Sequence, residues 1–122
     1  MRTGMQEMIL VLCTFPDREV ARQIATTLVE RQLAACVNLL PGVESIYRWH
    51  GHVEQAAEVL AVIKTASGHY PALAEVLLAM HPYAVPEIVA LQPSAVSESY
   101  LAWVLAEVTD TATVTHGEHS GC

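Results

Sequence analysis

Three cysteines and six histidines are the side chains in this 122-residue chain best suited to holding a soft or borderline metal ion. Their spacing is sparse. Cys13, Cys36 and Cys122 form no CxxC pair. His50 and His52 flank Gly51 and could chelate, although on a turn such histidines are more often simply solvated. His116-x-x-His119 with Cys122 could capture a metal at the C-terminal end, against the entropy of ordering a loose segment. The motifs of covalent and nucleotide chemistry are missing. There is no G-x-S-x-G, no P-loop, no G-x-G-x-x-G, no visible Ser-His-Asp set and no dense carboxylate cluster. The chain therefore reads as a binding protein rather than an enzyme.

Composition narrows the partners. Thirteen acids against six bases give a net charge of −7, which repels a phosphate backbone, so nucleic acid is not expected. No apolar run approaches the ~18 residues of a membrane span. Met8–Cys13, with only Arg2 as a base upstream, is too short for a secretory leader. An odd cysteine count without CxxC predicts a reducing cytoplasm and no disulfide framework. With 52% hydrophobic and 16% charged residues, the chain can bury one core.

Periodicity supplies the elements. MILVLCTF, residues 8–15, is a strand ended by Pro16-Asp17. Asp17 is placed to cap a helix over 18–32, whose apolar stripe is Val20, Ala21, Ile24, Ala25 and Leu28. A strand over 34–49 is interrupted at Pro41-Gly42, turns at His50-Gly51 and pairs with a strand over 52–65. A helix over 69–80 tolerates Pro71 in its first turn and carries Tyr70, Leu73, Leu77 and Met80. A fourth strand over 87–92 and a last helix capped by Ser97 complete a domain over 8–109. Residues 110–122 carry no core pattern and are expected to be a flexible tail. The order β-α-β-β-α-β plus a helix predicts an α+β, ferredoxin-like antiparallel sheet with both main helices on one face.

Both faces of every strand are apolar. Ile9, Val11, Cys13 and Phe15 oppose Met8, Leu10 and Leu12, and Val59, Ala61 and Ile63 oppose Leu60 and Val62. Two helices cover one face only, so the other needs a further apolar surface. The 34–49 strand also spans roughly 50 Å, against about 23 Å for the first helix. Its hairpin tip, with Ile46, Tyr47 and Trp49, must overhang its own core. A closed homo-oligomer, sheet against sheet with each arm on a neighbour, satisfies both conditions.

Seven short motifs resemble one family. They are Cys13-Thr14-Phe15-Pro16, Leu33-Ala34-Ala35-Cys36-Val37-Asn38, Pro41-Gly42, Tyr47-Arg48-Trp49-His50-Gly51, Lys64-Thr65, His81-Pro82-Tyr83 with Pro86-Glu87, and Tyr100-Leu101-Ala102-Trp103. In this order, from about Met8 to Val108, they resemble the CutA family of divalent-cation tolerance proteins. The resemblance implies a trimer similar in plan to the PII signalling proteins, and a link to copper and other divalent metals. In animal members it points to protein anchoring instead. The metal ligands that it carries over are Cys13, Met80 and His81, with methionine where relatives place a histidine. A thioether favours Cu(I), whereas an imidazole would also serve Cu(II) or Zn(II).

Chain tracing brings Cys13, Met80, His81 and Glu87 to one rim of this fold, a reasonable transition-metal set of thiolate, thioether, imidazole and carboxylate. Structural roles are commoner for each: Cys13 as a small buried hydrophobe, His81 as a helix C-cap, Glu87 in a pair with a neighbour. Asn38 on its apolar strand needs a hydrogen-bond partner, expected across a subunit contact, and Arg48 and Lys64 could hold an anion or a cross-subunit carboxylate, although structural ion pairs are the commoner role. Two functions result: a cytoplasmic trimer contributing to metal tolerance through weak rim binding, or a signalling or scaffold trimer that takes a protein or small anion between subunits.

Overall fold

A computed structural model describes residues 7–109 and 121–122. The elements run β1 (Met8–Phe15), α1 (Arg18–Glu30), β2 (Cys36–Trp49), β3 (His52–Ala66), α2 (Tyr70–Met80), β4 (Val89–Leu91) and α3 (Glu98–Glu107), with a short 3-10 turn, Ser67–His69, before α2. The sheet order is β2-β3-β1-β4 and every pair is antiparallel. This is the ferredoxin-like arrangement expected from the element order.

Local chemistry explains the boundaries. Asp17 is extended and its carboxylate accepts the Val20 N–H at 2.9 Å, capping α1. Ala21, Ile24 and Leu28 form the buried stripe of α1, and Leu73 and Leu77 that of α2. The break at Pro41-Gly42 is a register shift between Leu40 and Val43, with Gly42 at φ +78° where a side chain would be strained. His50 and Gly51, both at positive φ, make the tight turn that pairs Trp49 with His52.

The two faces of the sheet have different fates. Ile9, Val11, Cys13, Phe15, Val59, Ala61 and Ile63 are buried under α1 and α2. On the other face α3 covers one end only, where Val104 and Val108 meet Met8, Ala35 and Ala66. Leu10, Leu12, Leu60 and Val62 stay half-buried and Leu40 is 44% exposed. The hairpin tip is barer still, with Ile46 64% and Val53 67% exposed. Among the described residues no helix is long and apolar enough to cross a membrane.

One expectation is corrected. Cys36 and Cys122 form a disulfide across a sequence separation of 86 residues, leaving Cys13 free and buried. The chain folds its last residue back onto the start of β2, a proximity that spacing could not reveal, so the cysteine count no longer argues for a reducing compartment. His116 and His119, with the rest of the expected tail over 110–120, lie outside the described residues.

Candidate functional site

Strand alternation divides the expected rim set. Cys13 points into the helix-side core with no exposed surface, whereas its neighbour Thr14 lines a cleft on the other side of β1. Burial, followed by the charges of Glu87 and Glu58, pushes the Cys13 thiol up to about 12. Holding it as the thiolate that a metal needs would cost on the order of 7 kcal/mol at neutral pH.

His81 is committed to the fold. Its backbone N–H donates to the Leu77 carbonyl at 2.9 Å and closes α2. Its ring Nε2 donates to the Thr14 carbonyl at 2.7 Å, and Nδ1 accepts the Tyr83 N–H at 3.2 Å. These partners select the Nε2–H tautomer. The ring also stacks on Phe15 with centroids 4.8 Å apart. No lone pair is left for a metal unless Nδ1 gives up Tyr83. Met80, the last residue of α2, is half-buried against the main core.

Glu87 is exposed and lines the cleft, a cavity of about 780 Å³. One wall is the hairpin, with Ile46, Tyr47 and Trp49; the other is the loop from Pro82 to Glu87. Glu58 stands at its base, buried, and accepts a 2.6 Å hydrogen bond from the Tyr83 hydroxyl. Burial first, then this hydrogen bond and the Glu58 charge, hold the Tyr83 phenol well above its ordinary value of 10.0. No Lys, Arg or His is among the residues lining the cleft. Two carboxylates in a cavity without a balancing cation favour a cation over an anion.

The structure thus brings Glu87 together with Glu58 and Tyr83, and leaves Cys13, Met80 and His81 on the helix side of the sheet. Glu58 escaped the sequence reading, although it occupies an even position in β3, the parity of Leu60 and Val62, and could have been assigned to this face. Among the described residues no group of three or more His, Cys, Asp or Glu is arranged to hold a metal ion. Among the described residues the cleft therefore gathers two carboxylates, fewer than the full shell of oxygens that a hard divalent ion takes.

A second polar cluster was also missed. Lys64 Nζ donates to Cys36 Sγ at 3.3 Å and to Asn38 Oδ1. Asn38 thus finds its partner within the protomer and not, as expected, across a subunit contact. Arg48 donates to the Gly51 carbonyl at 3.4 Å in the hairpin turn.

A family model described as "CutA1 divalent ion tolerance protein" matches residues 9–107. The chain is 50% identical over 100 residues to the divalent-cation tolerance protein CutA of Thermus thermophilus, covering 82% of this chain and 95% of that protein. It is 48% identical over 91 residues to Protein CutA of Mus musculus, covering 75% of this chain and about half (51%) of the mouse protein. Among solved structures, CutA from Xylella fastidiosa superposes with a TM-score of 0.82 at 41% identity, covering 84% of this chain and 99% of that one.

Proposed function

The chain belongs to the CutA1 divalent ion tolerance family, and from that membership we propose that it serves tolerance of divalent metal ions as a non-enzymatic homotrimer, binding the ion weakly at the rim cleft. The observation that carries this reading is the pair Glu58 and Glu87 in one cavity with no cation among its lining residues. Carboxylate oxygens suit a divalent ion better than Cu(I). Cys13 and His81 then hold the walls from behind, and Glu87, exposed at the mouth, meets the ion first. Copper enters this reading as Cu(II), alongside Zn(II). The alternative in which the cleft holds a small anion is opposed by the same two charges.

The trimer is supported by the half-covered sheet face and the bare hairpin tip. A second protomer's arm laid along the cleft would bury Ile46 and Trp49 and add the ligands that one protomer lacks. Calorimetric titration of Cu(II) and Zn(II) into the wild type, Glu87→Gln, Glu58→Gln and Cys13→Ser tests the site. Glu87→Gln is expected to weaken binding five-fold or more and Cys13→Ser to leave it unchanged. Loss of binding in Cys13→Ser with Glu87→Gln unaffected would overturn the assignment.

A further inference from the structure

The register shift at Pro41-Gly42 decides which side chains of the hairpin reach the cleft. From Leu40 to Val43 strand β2 advances three residues, while its partner β3 advances two, from Leu60 to Glu58. The extra residue reverses the alternation of β2 beyond that point. Before it, Cys36, Asn38 and Leu40 stand opposite Lys64, Val62 and Leu60 on the half-covered face. Beyond it, Ser45, Tyr47 and Trp49 stand opposite Ala56, Glu54 and His52, on the same side as Glu58. The bulge thus delivers two aromatic rings to the cleft that Thr14, Glu58 and Glu87 also line. Alternation turns Arg48 to the other side of β2, where it donates to the Gly51 carbonyl.

Walls and charge together define the ligand. Tyr47 and Trp49 are 43% and 44% exposed, so ring surface is open to a small molecule. Pro82, Val85 and Pro86 continue the lining without a polar side chain. Ring faces and these aliphatic groups offer no oxygen to a hard metal ion. They suit methyl and methylene groups, and an aromatic face attracts the positive charge that such groups carry in an alkylated amine. Glu58 is held in place by the Tyr83 hydroxyl on Oε2, and a carboxylate accepts more than one hydrogen bond, so it can still meet a cation. At about 780 Å³ the cavity has the size of a small-molecule site. We propose that the cleft takes a small organic cation of the alkylammonium class, its alkyl groups against Tyr47 and Trp49 and its charge between these rings and the carboxylates of Glu58 and Glu87. The site uses the same two charges as the metal reading above and goes beyond it, because it requires no metal.

Nuclear magnetic resonance titration of the full chain with choline tests the proposal, with 3,3-dimethylbutan-1-ol as the neutral isostere. Choline should bind about five-fold or more tightly than the isostere. Its methyl protons should shift upfield, the signature of a position over a ring face. Trp49→Leu should weaken choline about five-fold and reduce that shift, and Trp49→Phe should recover part of both. Tyr47→Leu should weaken choline in the same direction, and it decides the matter if Trp49→Leu loses its native circular dichroism. Equal affinity for choline and the isostere would show a groove that selects apolar bulk alone and would overturn the proposal. Choline binding untouched in both leucine variants would overturn it too. Zn(II) titration of the same preparation keeps the two readings apart. Zinc binding without choline binding removes the organic cation and leaves the metal reading; choline binding without zinc binding does the reverse.

Discussion

The imidazole of His81 donates to the carbonyl of Thr14 at 2.7 Å, and so fastens the end of α2 to the end of β1. That bond separates support from ligation in the rim. Thr14 lines the cleft, so the bond fixes the cleft's inner wall from behind. His81→Ala should therefore destabilise the fold by about 2–4 kcal/mol. It removes the stronger of two side-chain hydrogen bonds to the Thr14 carbonyl, leaving the weak one from the Cys13 thiol, and removes the stack on Phe15. Urea denaturation measures the loss. Calorimetry on the folded fraction should still find metal bound with little change, whereas a ligand histidine would abolish binding without such a loss of stability.

Cys13 makes stability depend on pH at the alkaline end. Its folded value of about 12 exceeds its ordinary 9.0, so the folded state holds the proton more tightly than the unfolded chain. Stability from this group is fully present below about pH 9 and is lost as pH climbs toward 12. Tyr83, raised above 10.0, adds a loss of the same sign that begins near pH 10. Denaturation midpoints measured between pH 8 and 11 should fall with pH. Cys13→Ala should flatten the early part of the decline and Tyr83→Phe the later part. A midpoint independent of pH in the wild type would contradict both.

The bare hairpin tip gives the most direct test of assembly. Ile46 and Val53 are more than half exposed, and Trp49 lies beside them at 44%. Substituting Ile46→Asp removes apolar contact and would bury a charge wherever this arm seats on a neighbour. Sedimentation equilibrium of the reduced protein should show the wild type as a trimer and Ile46→Asp shifted toward monomer, with far-UV circular dichroism unchanged. A trimer of unaltered affinity would mean that the arm is not part of the contact.

How much of this was legible in the sequence depended on whether the signal was local. Alternation and period gave β1, α1 and the order of the elements along the chain, because Asp17, Pro41-Gly42 and His50-Gly51 each act within a few residues. The apolar stripe of α2 was equally plain. The rim was harder. Topology brought Cys13, His81 and Glu87 to the same end of the sheet, but only the side on which each residue points decides whether they meet. Cys13 belongs to the odd row of β1 that α1 and α2 cover, so the alternation that revealed the strand also withheld its thiol from the cleft. Glu58 was passed over because a single acid near the middle of a long strand looks like a solvated position. The Cys36–Cys122 bond spans 86 residues, and no local pattern reports a contact of that length.

Gln32 joins two ends of the domain, and its contribution can be divided by substitution. It follows α1 with φ +58°, a left-handed conformation that strains a residue bearing Cβ. Its amide Nε2 donates to the carbonyls of Glu107 at 3.2 Å and Thr109 at 3.0 Å, clasping the end of α3. Gln32→Ala keeps the strain and loses the clasp, and should cost about 1–2 kcal/mol. Gln32→Gly also loses the clasp but relieves the backbone, and should recover about 1 kcal/mol relative to the alanine variant. Thermal unfolding of the three proteins at neutral pH gives both differences. Hydrogen exchange should locate the loss: in both variants amides of α3 should exchange faster while those of β1 keep their protection, because the clasp holds α3 and β1 is held by β3 and β4. Equal stability of the alanine and glycine variants would show that the left-handed turn carries no strain, and unchanged exchange in α3 would show that the clasp does not hold it.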